Sequence, residues 1–155
     1  MGPYLNWTIS FGKGGNVMVQ SRRLRIKTGG NCDIIDITKQ VAEGIDDSGV
    51  NSGIVTVFAV GSTAGVCTIE HESGLLSDFK AMWDRIIPVG LGYQHDRAWG
   101  DGNGHSHMRA SIVSPSLTVP FNDKRMVLGT WQQIVYVDFD NRPRSREIVL
   151  QIMGE

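Results

Sequence analysis

Three of the chain's four histidines, His95, His105 and His107, lie in one polar, glycine-rich segment. This segment, residues 93–116, reads YQHDRAWGDGNGHSHMRASIVSPS and also carries acids and an arginine. If it is extended, side chains two residues apart project from the same face, and the imidazoles of His105 and His107 could bind one metal ion. With His95 they would form a three-histidine zinc site with a fourth position open for water or a phosphate oxygen. The alternative is that all three are exposed loop histidines that bind no ion.

Charged residues beside these histidines extend the possible chemistry to phosphorylated substrates. Arg109 follows His107 by two residues, so in a strand it would place a permanent cation on the same face as the metal. Asp96 and Asp101 could orient imidazole N–H groups or complete the coordination of the metal. Each has a structural alternative, because an arginine on a strand most often makes a surface ion pair and Asp-Gly-Asn-Gly at 101–104 is a strong turn signal.

A second group of polar residues could bind the substrate or act on it from elsewhere in the chain. Ser62 and Thr63 lie in a Gly-Ser-Thr-Ala-Gly turn, whose hydroxyls and successive backbone N–H groups can bind an anion. Glu70 follows a predicted strand and could act as a general base or as a hydrogen-bond partner of an imidazole. Trp131 could stack on a heteroaromatic ring. The alternatives are a structural turn, a solvated glutamate and a tryptophan used for core or subunit packing.

Three arginines near the C-terminus, Arg142, Arg144 and Arg146, alternate along the chain and would line one face of the last strand. Such a row could bind pyrophosphate or an acidic partner, but a solvated face is the ordinary outcome and the one we expect. No nucleotide-binding glycine motif is present, since GKGGN at 12–16 lacks the spacing of a P-loop. Phosphate binding would therefore depend on individual side chains and turns.

The composition is that of one ordinary globular domain. The 155 residues are 41% hydrophobic and 20% charged, and nearly equal numbers of acids and bases leave a formal net charge of −1. This balance does not favour a nucleic-acid or anionic-membrane partner. Because no apolar run approaches the ~18 residues of a membrane-spanning helix and no signal-peptide pattern is present, we expect a cytoplasmic protein. Cys32 and Cys67 are then expected to be reduced, buried thiols.

Hydrophobic periodicity predicts a mostly antiparallel β-sheet packed with two main helices. Apolar residues recur at helical spacing over 37–45 and again over 75–86, where Ser73 is the expected N-cap and Pro88 the stop. The continuous β-branched run at 53–60 is typical of a strand in the middle of a sheet. Shorter runs predict the remaining strands, at 7–11, 16–20, 24–26, 65–69, 111–113, 117–120, 126–128, 133–139 and 147–153.

Four stretches of the chain together resemble the YjbQ family: GSTAGVCTIEHESGLL (61–76), YQH with GDGNGHSHMRASIVSPSLTVPF (93–95 and 100–121), LGTWQQIVYVDFD (128–140) and RPRSREIVLQIMGE (142–155). The match is close over the C-terminal two thirds of the chain and in pattern only before that. The resemblance implies a single α+β domain spanning 1–155, in which a mostly antiparallel sheet packs with helices. It also implies assembly as a homotrimer.

The resemblance implies an activity too, because the YjbQ family is associated with a secondary thiamine-phosphate synthase activity. The reaction would join a hydroxymethylpyrimidine pyrophosphate to a thiazole phosphate with loss of pyrophosphate. A divalent metal, most simply zinc, and Arg109 would neutralise the leaving pyrophosphate, while Glu70 or His107 moves protons. Two other functions stay open: a non-catalytic module that binds a metal or small anion, and a metal-dependent hydrolase of a phosphate or carboxylic ester.

One position of the chain departs from the family pattern. Many bacterial members have a histidine where this chain has Gly61, whereas His95 and His107 match histidine positions of the family. If the family histidine is a ligand, this chain must do without it or recruit His105, which is not a common family residue. His105 is therefore the residue to test as the replacement.

Overall fold

The computed structural model describes residues 5–11 and 15–155, which form nine strands and four helices. The helices are α1 (Thr38–Asp46), α2 (Ser73–Ile86), α3 (Gln94–Trp99) and α4 (Gly104–Val113). The strands are β1 (Leu5–Phe11), β2 (Gly15–Thr28), β3 (Asp33–Asp36), β4 (Gly53–Val60), β5 (Ala64–Ile69), β6 (Ser116–Asn122), β7 (Arg125–Met126), β8 (Gln133–Asp138) and β9 (Arg144–Gly154). This content confirms the predicted α+β class.

The strands form two sheets, and every pairing between described strands is antiparallel. The larger sheet has six strands in the order β1-β2-β9-β4-β6-β7, and the smaller has three in the order β3-β8-β5. The prediction that 53–60 lies in the middle of a sheet is confirmed, since β4 pairs with β9 on one side and with β6 on the other. The predicted antiparallel sheet is thus confirmed in kind but divided in two.

The predicted N-terminal strands are present and pair with each other, but the second strand is longer than predicted. β1 pairs with the first half of β2, while the turn residues 12–14 lie outside the described part of the chain. The segments at 16–20 and 24–26, predicted as two strands, are both part of β2. The intervening Ser-Arg-Arg contains no glycine or proline that would break an extended chain, and β2 continues along β9 as far as Thr28.

The smaller sheet lies between two hydrophobic clusters because its middle strand, β8, carries apolar side chains on both faces. Ile134 and Tyr136 belong to the main core, together with residues of α1 and the inner face of the larger sheet. Val135 and Val137 belong to a second cluster with Trp83 of α2 and one residue of α4. The smaller sheet is therefore covered by the larger sheet on one face and by α2 and α4 on the other.

The two predicted helices, α1 and α2, are confirmed. The N-cap of α2 is Glu72 rather than the expected Ser73, because the Glu72 carboxylate accepts hydrogen bonds from the backbone N–H groups of Gly74 and Leu75. These hydrogen bonds hold the pKa of Glu72 below its ordinary value. No helix in the described part of the chain has the length and apolarity that crossing a membrane requires.

The segment predicted to be extended is instead helical. α4 covers Gly104–Val113, so the strand predicted at 111–113 and the extended geometry assumed for His105 and His107 are both wrong. The residues of α4 that are buried are mostly polar or small, namely Gly104, His105, Ser106, Arg109 and Ala110. A buried face of that composition gives no hydrophobic period, which is why periodicity predicted two helices and the structure has four.

Candidate functional site

The short helix α3 and the first turn of α4 bring two of the three predicted metal ligands, His95 and His107, into contact. Their imidazole ring centroids are 4.5 Å apart and the ring planes are tilted by 37°. Both residues are half-buried, so the pair is held by the protein but can still be reached from outside. The pairing comes from the packing of α3 on α4 and not from sequence spacing.

Two acidic side chains lie against this pair. His95 Nδ1 is 3.4 Å from Asp101 Oδ1 and 3.7 Å from Asp96 Oδ1, and one donor atom from each of the three residues lies within 4.8 Å of the other two. The Nδ1 atom is buried and has no hydrogen-bond partner among the described residues, which is unusual for a buried polar atom. An unpartnered imidazole nitrogen beside two carboxylates fits a divalent cation such as zinc. We call His95, His107, Asp96 and Asp101 the His95 cluster.

The start of α4 depends on a close approach to α3. The backbone N–H of Gly104 donates to Asp96 Oδ1 at 2.7 Å, so this carboxylate satisfies an otherwise unpaired donor in the first turn of the helix. A Cβ atom on Gly104 would lie 2.7 Å from Cβ of Tyr93 and 3.0 Å from Asp96 Oδ1. Glycine is therefore required at this position, and it sets the distance between the two histidines.

His105 does not belong to the His95 cluster. Two residues on an α-helix are separated by roughly 200° around the axis, so His105 and His107 lie on nearly opposite sides of α4. His105 is 2% exposed, and its Nε2 lies 3.2 Å from Ser106 Oγ. Burial, followed by the positive charge of Arg109, lowers the pKa of His105. The predictions that His105 shares a metal with His107, and that it replaces a ligand at Gly61, are both wrong.

Arg109 lies one turn after His105 on the same side of α4 and is also buried. Its Nε and Nη2 atoms donate to the Ile87 carbonyl at 2.9 and 2.7 Å, and Nη2 also donates to Asp84 Oδ1 at 2.9 Å. These hydrogen bonds tie α4 to α2 and to the residue that follows it. The prediction that Arg109 places a cation on the same face as His107 is therefore wrong, and its position does not support the predicted catalytic and substrate-binding roles.

The other side of α4 forms one wall of a cleft of about 250 Å³. The turn between β4 and β5 forms the opposite wall, so the cleft brings His107 and Ser62 together as the sequence analysis expected of the site. The cleft is lined by Gly61, Ser62, Ala64, His107, Ala110, Ser111 and Pro115. We call it the His107 cleft.

Gly61, which lines the His107 cleft, lies close to an arginine. Its φ of 142° is a backbone conformation that favours glycine, and a Cβ atom added there would lie 3.4 Å from Nη1 of Arg146. The other two guanidinium nitrogens of Arg146 are hydrogen-bonded, whereas Nη1 makes no hydrogen bond to the described residues. Arg146 does not itself line the cleft, but with no side chain at position 61 its Nη1 lies directly behind the Gly61 backbone.

Arg146 is held by a network of buried charges. Its Nε and Nη2 atoms donate to the two carboxylate oxygens of Asp138, both at 2.7 Å, and Nη2 lies 3.2 Å from Asp140 Oδ2. Arg144 also pairs with Asp140, at 2.9 Å. The expected solvated arginine row is thus wrong for Arg146, whose side chain is only 10% exposed, and holds for Arg142. Two alternating acids followed by alternating arginines are the sequence signal for this pairing.

The hydroxyl of Thr63 is part of the same network. Thr63 Oγ1 donates to Asp140 Oδ2 at 3.0 Å and accepts from Arg146 Nη2 at 2.7 Å. Burial raises the pKa of Asp140, but the hydrogen bonds from Arg144 and Thr63 outweigh it and leave that pKa below its ordinary value. The Thr63 hydroxyl is therefore used by buried hydrogen bonds. Of the two residues whose hydroxyls were predicted to bind substrate, only Ser62 lines the cleft.

Glu70 and Trp131 lie far from the His107 cleft within one chain. β5 leads away from Ala64, which lines the cleft, and at ~3.3 Å per residue it places Glu70 about 20 Å from Ala64. Trp131 lies beside that far end, because its neighbour Gln132 donates to Thr68 Oγ1 at 2.9 Å. Both side chains are exposed, Trp131 to 71%. The structure thus separates these two predicted site residues from the rest.

Comparison with known proteins identifies related sequences and folds. The family model described as UPF0047 protein YjbQ-like matches residues 22–155. A UPF0047 protein of Methanothermobacter thermautotrophicus is 37% identical over 137 residues, covering 88% of this chain and 94% of that protein. The UPF0047 protein YugU of Bacillus subtilis is 32% identical over 136 residues, covering 86% of this chain and 98% of that protein.

Solved structures show the same fold. A YbjQ-like protein of unknown function from Sulfolobus solfataricus superimposes with a TM-score of 0.85 at 29% identity, covering 90% of this chain and 99% of that one. A YjbQ/UPF0047 family protein from Clostridium acetobutylicum gives a TM-score of 0.77 at 30% identity, covering 84% of this chain and 98% of that one. The family model, the relatives and the shared fold agree, and the chain belongs to the YjbQ/UPF0047 family.

Proposed function

We propose that this protein is a small enzyme that uses the His95 cluster and a bound divalent metal, most simply zinc, to act on a phosphorylated heterocycle. The reaction we propose is the one implied by the sequence resemblance, a thiamine-phosphate-synthase-like transfer with loss of pyrophosphate. One observation carries the proposal: the buried Nδ1 of His95 has no hydrogen-bond partner among the described residues and lies beside two carboxylates, in a cluster that shares His107 with a cleft of about 250 Å³.

In this proposal, the His95 cluster holds the metal and handles protons. His95, Asp96 and Asp101 are the proposed ligands, and the metal when bound acts as a Lewis acid toward a phosphate oxygen. His107 stacks against His95 and lines the cleft, so its imidazole is placed to accept or donate a proton at the substrate. This assignment replaces the three-histidine set, because the fold turns His105 away.

The opposite wall of the cleft supplies donors for an anion. Ser62 contributes a hydroxyl, and Nη1 of Arg146 lies beside Gly61 with no hydrogen bond to the described residues. A guanidinium fixed through its other nitrogens is well suited to orient a phosphate group. We therefore assign to Arg146 the pyrophosphate-binding role that the sequence analysis gave to Arg109.

Turnover is the test that separates this proposal from its rivals. Zinc-loaded protein without an affinity tag is expected to form thiamine phosphate and pyrophosphate from the two precursors. Chromatography measures the thiamine phosphate, and a pyrophosphate-release assay measures the pyrophosphate. His107→Ala should lower kcat at least about 100-fold, the usual size of a general acid–base contribution, while His105→Gln retains activity. Phosphate release without thiamine phosphate would instead indicate the hydrolase. Zinc binding by a well-folded wild type with no turnover of any kind would indicate the binding module.

We further propose that the active form is a homotrimer in which Glu70 and Trp131 of a neighbouring subunit reach the His107 cleft. Two observations support this. Both residues are exposed, Glu70 lies about 20 Å from Ala64 in the cleft of its own chain, and Trp131 lies near the same end of β5 as Glu70. Large apolar side chains are also exposed on the outer face of β4 and along α4, a feature typical of subunit contacts: Ile54, Phe58, Val60, Met108 and Ile112, each at least 41% exposed.

A subunit-mixing experiment tests the shared site. Glu70→Gln and His107→Ala are each expected to be inactive alone. Co-refolded mixtures should regain activity, because some clefts then combine an intact His107 from one subunit with an intact Glu70 from its neighbour. Light scattering should report three times the chain mass of 17.0 kDa for every sample. The matched control is wild type co-refolded with a double variant that carries both Glu70→Gln and His107→Ala in the same subunit. Mixed trimers that stay inactive, or a fully active Glu70→Gln, would contradict the shared site.

A further inference from the structure

The side of α4 that faces away from the His107 cleft forms a second cavity. Its volume is about 210 Å³, and α2, α4 and the turn before β3 enclose it. The lining residues are Asn31, Cys32, Lys80, Asp84, Val89, His105 and Arg109. Six of these seven residues have a polar or charged side chain or a thiol, so the cavity suits a small ion or a single polar functional group. We call it the Arg109 cavity.

A buried arginine with a remaining donor lies at the base of this cavity. The Arg109 side chain is only 4% exposed, and its Nε and Nη2 atoms are used by the Ile87 carbonyl and Asp84. Its Nη1 atom makes no hydrogen bond to the described residues. Among the residues that the structure describes, Asp84, whose side chain is 67% exposed, is the one acid that pairs with this guanidinium. The protein thus fixes a buried cation and leaves one of its N–H edges without a protein acceptor.

A second cation lies at the rim. Lys80 is one turn before Asp84 on α2, is exposed and makes no ion pair with the described residues. The lining therefore has two permanent cations against one acid. Burial raises the pKa of the nearby Cys32 thiol to about 11; Arg109 and Lys80 lower this pKa, whereas Asp84 and Asp33 raise it.

We propose that the Arg109 cavity binds a phosphate-sized oxyanion, with Arg109 Nη1 and Lys80 Nζ as its charged donors and Asn31 as a neutral one. Free phosphate and the phosphoryl group of a small metabolite share this chemistry. Bidentate or end-on contact with a guanidinium and a mobile ammonium at the rim is a common arrangement for phosphate. The proposal is independent of the proposed enzyme function, because the His95 cluster lies on the other side of α4.

Different histidines lie on the two sides of α4, so their NMR signals can show on which side a ligand binds. His105 lines the Arg109 cavity, whereas His95 and His107 belong to the His95 cluster. Inorganic phosphate added to EDTA-treated protein is expected to shift the imidazole NMR signals of His105 in a saturable way. Any shift of the His107 signals reports separate binding in the His107 cleft, and Lys80→Ala should weaken only the His105 response. Sodium chloride at matched ionic strength controls for screening. Methyl phosphate in a parallel titration separates the sources: binding of both ligands indicates a phosphoryl group, and binding of phosphate alone indicates the free ion.

Charge variants at the rim keep the test decisive without disturbing the buried arginine. Lys80→Ala is expected to weaken phosphate binding roughly threefold and Lys80→Glu roughly tenfold, as for a partly exposed cation near the ligand. The matched control is Lys39→Ala, an exposed lysine on α1 that should bind phosphate like wild type. Arg109→Lys should remove most of the binding. The proposal is overturned if His105 signals do not respond to phosphate, if His95 and His107 respond instead, or if Lys39→Ala weakens binding as much as Lys80→Ala.

Discussion

Replacing His95 with alanine is expected to weaken zinc binding at least about 100-fold, since loss of an outer-shell partner of a ligand already costs 10- to 100-fold. His95 supplies the buried nitrogen that has no hydrogen-bond partner in the described part of the chain and lies 3.4 Å from Asp101 Oδ1. Without the imidazole, the two remaining carboxylates are a poor zinc site, because zinc prefers nitrogen and sulfur donors. The measurement is a competition titration against a coloured chelator at neutral pH, with the zinc content of each variant checked by elemental analysis.

The matched control for this prediction is His105→Gln. The side chain of His105 lies in the same helix two residues from His107 but on the opposite side of α4, so the variant should bind zinc as wild type does. A loss of zinc in His105→Gln that equals the loss in His95→Ala would contradict the site we describe. Zinc binding that survives in His95→Ala would contradict it equally, provided that circular dichroism shows the fold to be intact.

Arg146→Ala is expected to lower the free energy of unfolding by about 3–5 kcal/mol, the usual cost of removing one partner from a buried ion pair. Arg146 holds Asp138 through two hydrogen bonds of 2.7 Å, and Asp138 and Asp140 are 0% and 1% exposed. Alanine would leave Asp138 buried with no arginine opposite, and Asp140 with Arg144 alone. Chemical denaturation followed by fluorescence measures the difference.

An exposed ion pair between neighbouring strands provides the comparison. Arg23 on β2 pairs with Glu147 on β9, and the Arg23 side chain is 55% exposed. Arg23→Ala should therefore cost less than about 1 kcal/mol, as exposed pairs do. If Arg146→Ala costs no more than Arg23→Ala, the network is not a stability determinant. The double variant Arg146→Met with Asp138→Leu should recover part of the loss, because it removes both buried charges together.

Most of the fold could be predicted from local patterns because its elements carry them. The β-branched run at 53–60 is a central strand, and the helical spacing over 75–86 is α2. β4 buries every second side chain from Val55 to Ala59, and α2 packs Phe79 and Trp83 into the second hydrophobic cluster, while Met82 and Ile86 of the same helical pattern are exposed. Burial of apolar surface is the dominant favourable term in folding, so segments that achieve it carry a readable pattern. α4 lacked such a pattern, because its buried side includes His105, Ser106 and Arg109.

The sequence by itself determined the family, the α+β class, and the set of residue types from which a site could be built. Only the tertiary structure decided which of these residues meet. A spacing of two residues puts His105 and His107 on one face of a strand but on nearly opposite sides of a helix. The motif alone does not determine whether the segment is a strand or a helix. That choice follows from contacts with α3, where Asp96 caps α4 and Gly104 permits the close approach. The physical reason is that helix formation in a short polar segment depends on such tertiary contacts more than on intrinsic propensity.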